Sequence, residues 1–142
     1  MNHKPIAVII LLVISILFGG CLSESPVMGG KDVVFDLKPS ELTIKNGETG
    51  NIKIRVANSG KTPVHPYVRF TMNSSDKPYV DFSPEKYDLG SLRQGEDSGF
   101  RIVDIKARLP AGAEVKFPVK AEVTLDNVSI LQSKDLIIIV TR

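Results

Sequence analysis

The sequence predicts an all-β fold, an antiparallel β-sandwich of seven to nine strands over residues 32–142, preceded by an N-terminal signal or anchor helix. Three observations predict it. From Lys31 onward apolar and polar residues alternate in one stretch after another, the period of strands with one buried and one wetted face. Turn-forming clusters such as Asn46-Gly47, Asn58-Ser59-Gly60, Ser83-Pro84 and Gln94-Gly95 break that alternation at intervals of roughly ten residues. No stretch sustains the 3.6-residue period of a helix.

Taken in order, Val33, Phe35 and Leu37 share one face of a first strand that Pro39 stops, and Leu42 and Ile44 make a short second one. Asn46-Gly47-Glu48 is a turn, because Asn and Gly tolerate positive φ. Ile52, Ile54 and Val56 then alternate with Lys53, Arg55 and Ala57 up to Asn58-Ser59-Gly60. Val64, Val68, Phe70 and Met72 share a face of the next strand, whose beginning belongs at a sheet edge or bulge because Pro63 and Pro66 cannot donate to a ladder. Two weaker segments, Tyr79–Phe82 and Tyr87–Leu92, flank Ser83-Pro84, and Gln94-Gly95-Glu96 is a further turn. Val103, Ile105, Ala107 and Leu109 point one way while Phe100 and Ile102 have the opposite phase, which predicts a β-bulge near Ile102. The clearest alternation runs from Val115 to Leu125; Asp126-Asn127 turns the chain, and Leu136–Val140 is the last strand. Polar alternate positions argue against a parallel sheet buried on both faces, which leaves two stacked sheets, with a barrel as the alternative.

The first 31 residues have a different logic. Lys4 precedes an apolar run, Ile6–Phe18, broken only by Ser15 and followed by Gly19, Gly20 and Cys21: positive, apolar, small, the anatomy of a secretory signal over residues 1–21. A bilayer core takes about 20 helical residues, so the run is short for a span; counted through Leu22 it reaches the lower bound, which keeps an uncleaved signal anchor as a second reading and a soluble secreted product as a third. Phe18-Gly19-Gly20-Cys21 resembles the lipobox of prokaryotic lipoproteins, with Phe18 where Leu is usual, and the resemblance implies that the Cys21 thiol carries a lipid. Each reading places the domain outside the cytoplasm, the first two at the extracellular face of the cell membrane. Residues 22–31 lack hydrophobic periodicity and read as a flexible tether. Because Cys21 is the one cysteine, no intramolecular disulfide staples the fold.

The order of elements also resembles the CARDB-type and S-layer-associated immunoglobulin-like domains of prokaryotic, often archaeal, surface proteins. The parts that carry it are Gly47-Glu48, Ile52–Val56, Asn58-Ser59-Gly60, Val64–Met72, Leu92-Arg93-Gln94-Gly95-Glu96 and Phe100–Leu109. Asn46 and Gln94 stand where that group usually has Pro. The resemblance implies an immunoglobulin-like sandwich used as a spacer, adhesion or accessory module, and it brings no catalytic residues. The two Gly-Glu turns are read as similar hairpin starts inside one sandwich, since half the chain is too small for a core of its own.

Composition narrows the function further. Lys plus Arg number 18 against 16 Asp plus Glu, a balance without the clustered basic face that nucleic acid requires. Nucleophilic catalysis needs a base beside the nucleophile, and beyond the leader the sequence has a single histidine, His65, on a strand's polar face. A blue-copper site needs two His and a Cys, and beyond the leader the sequence offers one His and no Cys; neither zinc-type spacing nor a phosphate-binding loop is present, and no enzyme and no cofactor is predicted. Asp76, Asp81, Glu85 and Asp88 read as a solvated acidic stretch, with a weak Ca²⁺ site as the sharper alternative. Asn73-Ser74-Ser75 and Asn127-Val128-Ser129 are N-glycosylation sequons in loops. Tyr67, Tyr79 and Tyr87, with Arg69, either straddle core and surface or form a stacking patch for sugars or protein. The expected function is a non-catalytic surface lipoprotein whose domain meets other envelope proteins or surface glycans. The alternative is an accessory, carbohydrate-capturing module of an extracellular enzyme or transport complex.

Overall fold

The computed structural model describes residues 32–110, 112, 114–126 and 129–142. The signal, Cys21, the tether and Asn127 lie outside the described residues. Those described form nine strands: β1 Val33–Lys38, β2 Glu41–Lys45, β3 Thr49–Asn58, β4 Tyr67–Met72, β5 Val80–Ser83, β6 Lys86–Asp88, β7 Arg101–Ala107, β8 Val115–Thr124 and β9 Ile130–Thr141, with a 3-10 turn at Lys77–Tyr79. They make two sheets, a four-stranded one in the order β1-β3-β7-β5 and a five-stranded one in the order β2-β9-β8-β4-β6. This is an immunoglobulin-like sandwich, and the barrel alternative falls away.

The alternation read from the sequence is the alternation that packs. Phe35, Ile52, Ile54, Val56, Val103 and Ile105 from one sheet meet Val68, Val119, Val123, Leu136 and Ile138 from the other, each almost fully withdrawn from water. Burying one such side chain contributes about 1.5–3 kcal/mol, so this interior is the main source of stability in a fold without a disulfide. One pairing departs from the all-antiparallel expectation, since β2 runs parallel to β9, Glu41 opposite Ile137 and Lys45 opposite Thr141. The reason lies at Pro39. There the chain leaves the first sheet after β1 and continues in the same direction as an edge of the second, and Ile137 N–H donates to the Ser40 carbonyl at the crossing. The second crossing of this kind lies between β5 and β6, at Pro84.

Three further expectations are corrected. The bulge expected near Ile102 falls slightly earlier: β7 pairs with β3 in unbroken register from Lys106 opposite Thr49 to Arg101 opposite Ile54, and the one-residue slip comes between Arg101 and Asp97, which bridges Ala57. Phe100 and Ile102 simply point outward, 50% and 56% exposed. A further irregularity lies on β9, where Leu131 is the extra residue between the pairs Val123–Gln132 and Thr124–Ile130. The strand expected from Val64 begins only at Tyr67; Val64 forms a separate bridge to Leu92. Last, β9 starts six residues before Leu136, at Ile130. Pro118, on the clearest strand, stands one step past the end of β4, whose last pair is Met72 opposite Val119, so β8 is locally an edge there.

The motif residues meet in space at one pole. Asn58, 1% exposed, donates from its side-chain amide to the carbonyls of Thr62 (2.9 Å) and Leu92 (3.0 Å) and accepts from Gly60 N–H (2.9 Å). Its backbone N–H donates to Glu96 O, its carbonyl accepts from Gly95 N–H, and Ser98 Oγ accepts from Val56 N–H (3.0 Å). Gly60 must be glycine, because a Cβ there would lie 2.7 Å from Asp32 Cβ, and the N–H groups of Ser59 and Gly60 both donate to Asp32 O. This latch fixes the point where the N-terminal segment joins the sandwich.

Candidate interaction surfaces

The strands that bury Val68 inward turn Tyr67 and Arg69 outward, and this outer face of the five-stranded sheet holds the polar residues the sequence singled out. His65 Nε2 lies 2.6 Å from Asp88 Oδ1, and its ring stacks on Tyr67 at 5.1 Å. Lys86 Nζ sits 4.1 Å from the centre of the Tyr67 ring. Arg69 Nε donates to Glu122 Oε2 (2.8 Å) across the β4–β8 pair, with the Glu122 side chain only 11% exposed. The Asp88 carboxyl is held below the usual carboxylate range, chiefly by the Gly90 N–H bonded to it and then by His65. His65 is thus the exposed partner of a carboxylate.

The three tyrosines do not form one patch. Tyr79 stacks at 6.2 Å on buried Phe117, and Tyr87 packs against the core, which leaves Tyr67 alone on the outer face. The four carboxylates also stay apart: among the described residues no group of three or more His, Cys, Asp or Glu is placed to hold a metal ion. Asn73 is exposed directly after β4, where its carbonyl accepts from Asp76 N–H in a turn.

On the outer face of the other sheet, Arg55 bridges Asp36 (2.5 Å) and Asp97 (3.8 Å) and lies over the Phe100 ring at 5.1 Å. The hydrogen bond from Arg55 lowers the Asp36 pKa from its ordinary 3.8, against the opposing pull of burial.

A surface that sequence reasoning missed lies on the flank of the sandwich between β4 and β5. Phe70 and Phe82 stack there, ring centres 4.4 Å apart and planes 4° from parallel. Beside them is a groove of 350 Å³ that Met72 and Val80 also line, together with the charged residues Arg69, Lys77, Asp81, Glu85 and Lys86. Phe70 was placed on the right face, but nothing local in the sequence states that β6 ends before covering it.

No family model matches the sequence, and no curated protein matches it. Solved structures share the fold. Salmonella alpha-2-macroglobulin superposes with a TM-score of 0.54 at 16% identity, over 77% of this chain and 7% of that one. The CsuC–CsuE chaperone–tip adhesion subunit complex of the archaic Csu pili of Acinetobacter baumannii gives 0.50 at 16% identity, over 76% of this chain and 51% of its counterpart. AvmM, which catalyses macrocyclization in alchivemycin A biosynthesis, gives 0.50 at 11% identity, over 78% of this chain and 89% of that one. This chain thus spans about half the length of the pilus protein it matches. At these identities what is shared is the two-sheet sandwich, which serves proteins of unlike activity.

Proposed function

We propose that this chain is a non-catalytic cell-surface module, held at the extracellular face of the cell membrane through a lipid on Cys21 and engaging other envelope proteins. The observation that carries the reading is the placement of the sandwich's two ends. Asp32 is pinned at the pole formed by the β3–β4 and β6–β7 loops, while Thr141 lies at the other pole beside Asn46. The twelve residues of β9 run between the poles, about 40 Å at 3.4 Å per residue. A leader and tether joined at Asp32 would keep the latched pole toward the membrane and present the opposite one. Its loops include the exposed sequon at Asn73. The ordered motif set favours the CARDB-type surface domain as the finer classification. The carbohydrate-capturing alternative calls for a row of aromatic rings on one face, and of the three tyrosines only Tyr67 is turned outward.

Mass spectrometry of the membrane fraction tests this reading. The expected product begins at Cys21 with the added mass of a lipid, and Cys21→Ser moves the protein out of the membrane fraction. A chain that begins at Met1 with an unmodified thiol rules out the lipid anchor, and an intact chain free in the cytosol rules out the surface location. The same spectra read the occupancy of Asn73 and Asn127.

A further inference from the structure

The two edge strands of the four-stranded sheet are β1 and β5, and among the described residues no strand pairs with the outer backbone edge of β5. Its direction follows from the register. Arg108 N–H donates to Tyr79 O, and backbone groups that face one side of a strand recur at every second residue. The pairs Asp81–Lys106 and Ser83–Asp104 therefore exchange the hydrogen bonds to β7, and the N–H and C=O of Val80 and Phe82 face the flank. Four backbone groups, in two sets about 7 Å apart, are presented there with no strand beside them. On the facing sheet β6 pairs only with Tyr67–Arg69, so Phe70–Met72 of β4 extends beyond it. The groove lined by Phe70, Met72, Val80 and Phe82 lies between these two edges.

We propose that this flank is a strand-addition site: an extended segment of a partner protein pairs with β5 along Val80–Phe82 and places one large apolar side chain in the groove against Phe70, Phe82 and Met72. The backbone identifies the class of occupant. Only an extended polypeptide offers donors and acceptors in alternation at the spacing of Val80 and Phe82, and its side chains alternate so that one enters the groove while its neighbours stay in water. Neither a sugar nor a lipid supplies that repeat. The segment is short, because the chain crosses between sheets at Pro84 on one side and turns through Lys77–Tyr79 on the other. This inference rests on the interaction-module reading and names its surface.

The test uses the full-length protein in detergent and a phage-displayed random heptapeptide library. In the free protein the amides of Val80 and Phe82 are expected to exchange with solvent at least tenfold faster than those of Asp81 and Ser83. Selected peptides should share one large apolar residue and slow the Val80 and Phe82 amides at least tenfold. Met72→Glu, at a half-buried position, should weaken binding at least tenfold, while Phe100→Ser, on the outer face of the same sheet as β5, leaves it unchanged. Should Met72→Glu fail to fold, the exchange data on the unaltered protein decide alone. Three results would overturn the site: no peptide selected, protection that maps elsewhere, or Val80 and Phe82 amides that become protected with protein concentration alone, which is self-pairing. Peptides that protect another edge would sink this site and leave the surface-module reading standing; a cytosolic, unprocessed chain would do the reverse.

Discussion

The two edges of the four-stranded sheet pose the same physical problem and solve it differently. Each leaves a row of backbone donors and acceptors without a neighbouring strand, a liability for pairing with other chains. On β1 the problem is solved from the opposite sheet. Gln132 of β9 accepts from Phe35 N–H (3.1 Å) and donates to the Val33 carbonyl, so one side chain satisfies two of the outward groups. The crossing at Pro39 then carries the chain onto β9 and closes that flank with backbone. On β5 the equivalent groups of Val80 and Phe82 meet no such side chain among the described residues, and the crossing at Pro84 leads into β6, which stops short of Phe70. A fold that caps one edge and leaves the other beside a groove with an apolar floor and charged neighbours has a closed side and an available one.

The largest expected effect contrasts the aromatic rings at these edges. Phe35→Ala on β1 removes a ring that is 1% exposed and enclosed by both sheets, and the cavity term adds to the lost transfer energy, for about 4 kcal/mol. Phe82→Ala on β5 removes a ring that is 9% exposed and borders a groove, so part of the space it vacates opens to solvent and the cavity cost is smaller, for about 2 kcal/mol. Urea unfolding with an unchanged m-value measures both. Equal losses would mean that the β5 flank is packed as tightly as the other and would remove the contrast.

Next in size is the clasp itself. Gln132→Ala strips two hydrogen bonds from β1 and leaves the Phe35 N–H unpaired behind buried side chains, about 1–2 kcal/mol. Amide exchange sharpens the reading, because only Phe35 and its immediate neighbours should speed up, while the Val80 and Phe82 amides stay as they were. A uniform change across the domain would show that Gln132 supports the whole fold and not one edge.

How much of this was legible in the sequence depends on whether the cause was local. The inward sets Val33-Phe35-Leu37 and Ile52-Ile54-Val56 were read correctly because the side-chain period of a strand is fixed by its own backbone. Gly47 and Gly95 were placed in turns because positive φ, +81° and +77°, is a local demand. The parallel β2–β9 pair was missed because it follows from where the chain lies after Pro39, a relation between residues about a hundred positions apart. Phe100 and Ile102 are an outward apolar pair, with Arg55 over Phe100, and the phase change they signalled corresponds to the one-residue slip between Asp97 and Arg101. The Asn58 motif was visible as a pattern, but its buried contacts to Leu92 and Glu96 needed the fold. Neither Gln132 nor the bare β5 edge had any signal, since a polar residue in a strand looks the same whether it faces water or caps a neighbour.

The smallest effect tests whether charge adds to the closed side. Asp36, on the outer face of β1, is bonded to Arg55 on β3, and that bond sets its folded pKa below the ordinary 3.8. A carboxylate whose pKa is depressed on folding contributes stability that is fully present above the unfolded value and disappears as pH falls through the folded one. Asp36→Asn should therefore lower stability slightly at neutral pH, and the gap from the unaltered protein should narrow below pH 3.8 and vanish at lower pH. Both side chains are partly in water, so added salt should shrink the difference as well. A gap that persists in acid would mean that Asp36 acts through packing or turn geometry. The contrast between the two edges would then rest on Gln132 and the Pro39 crossing alone.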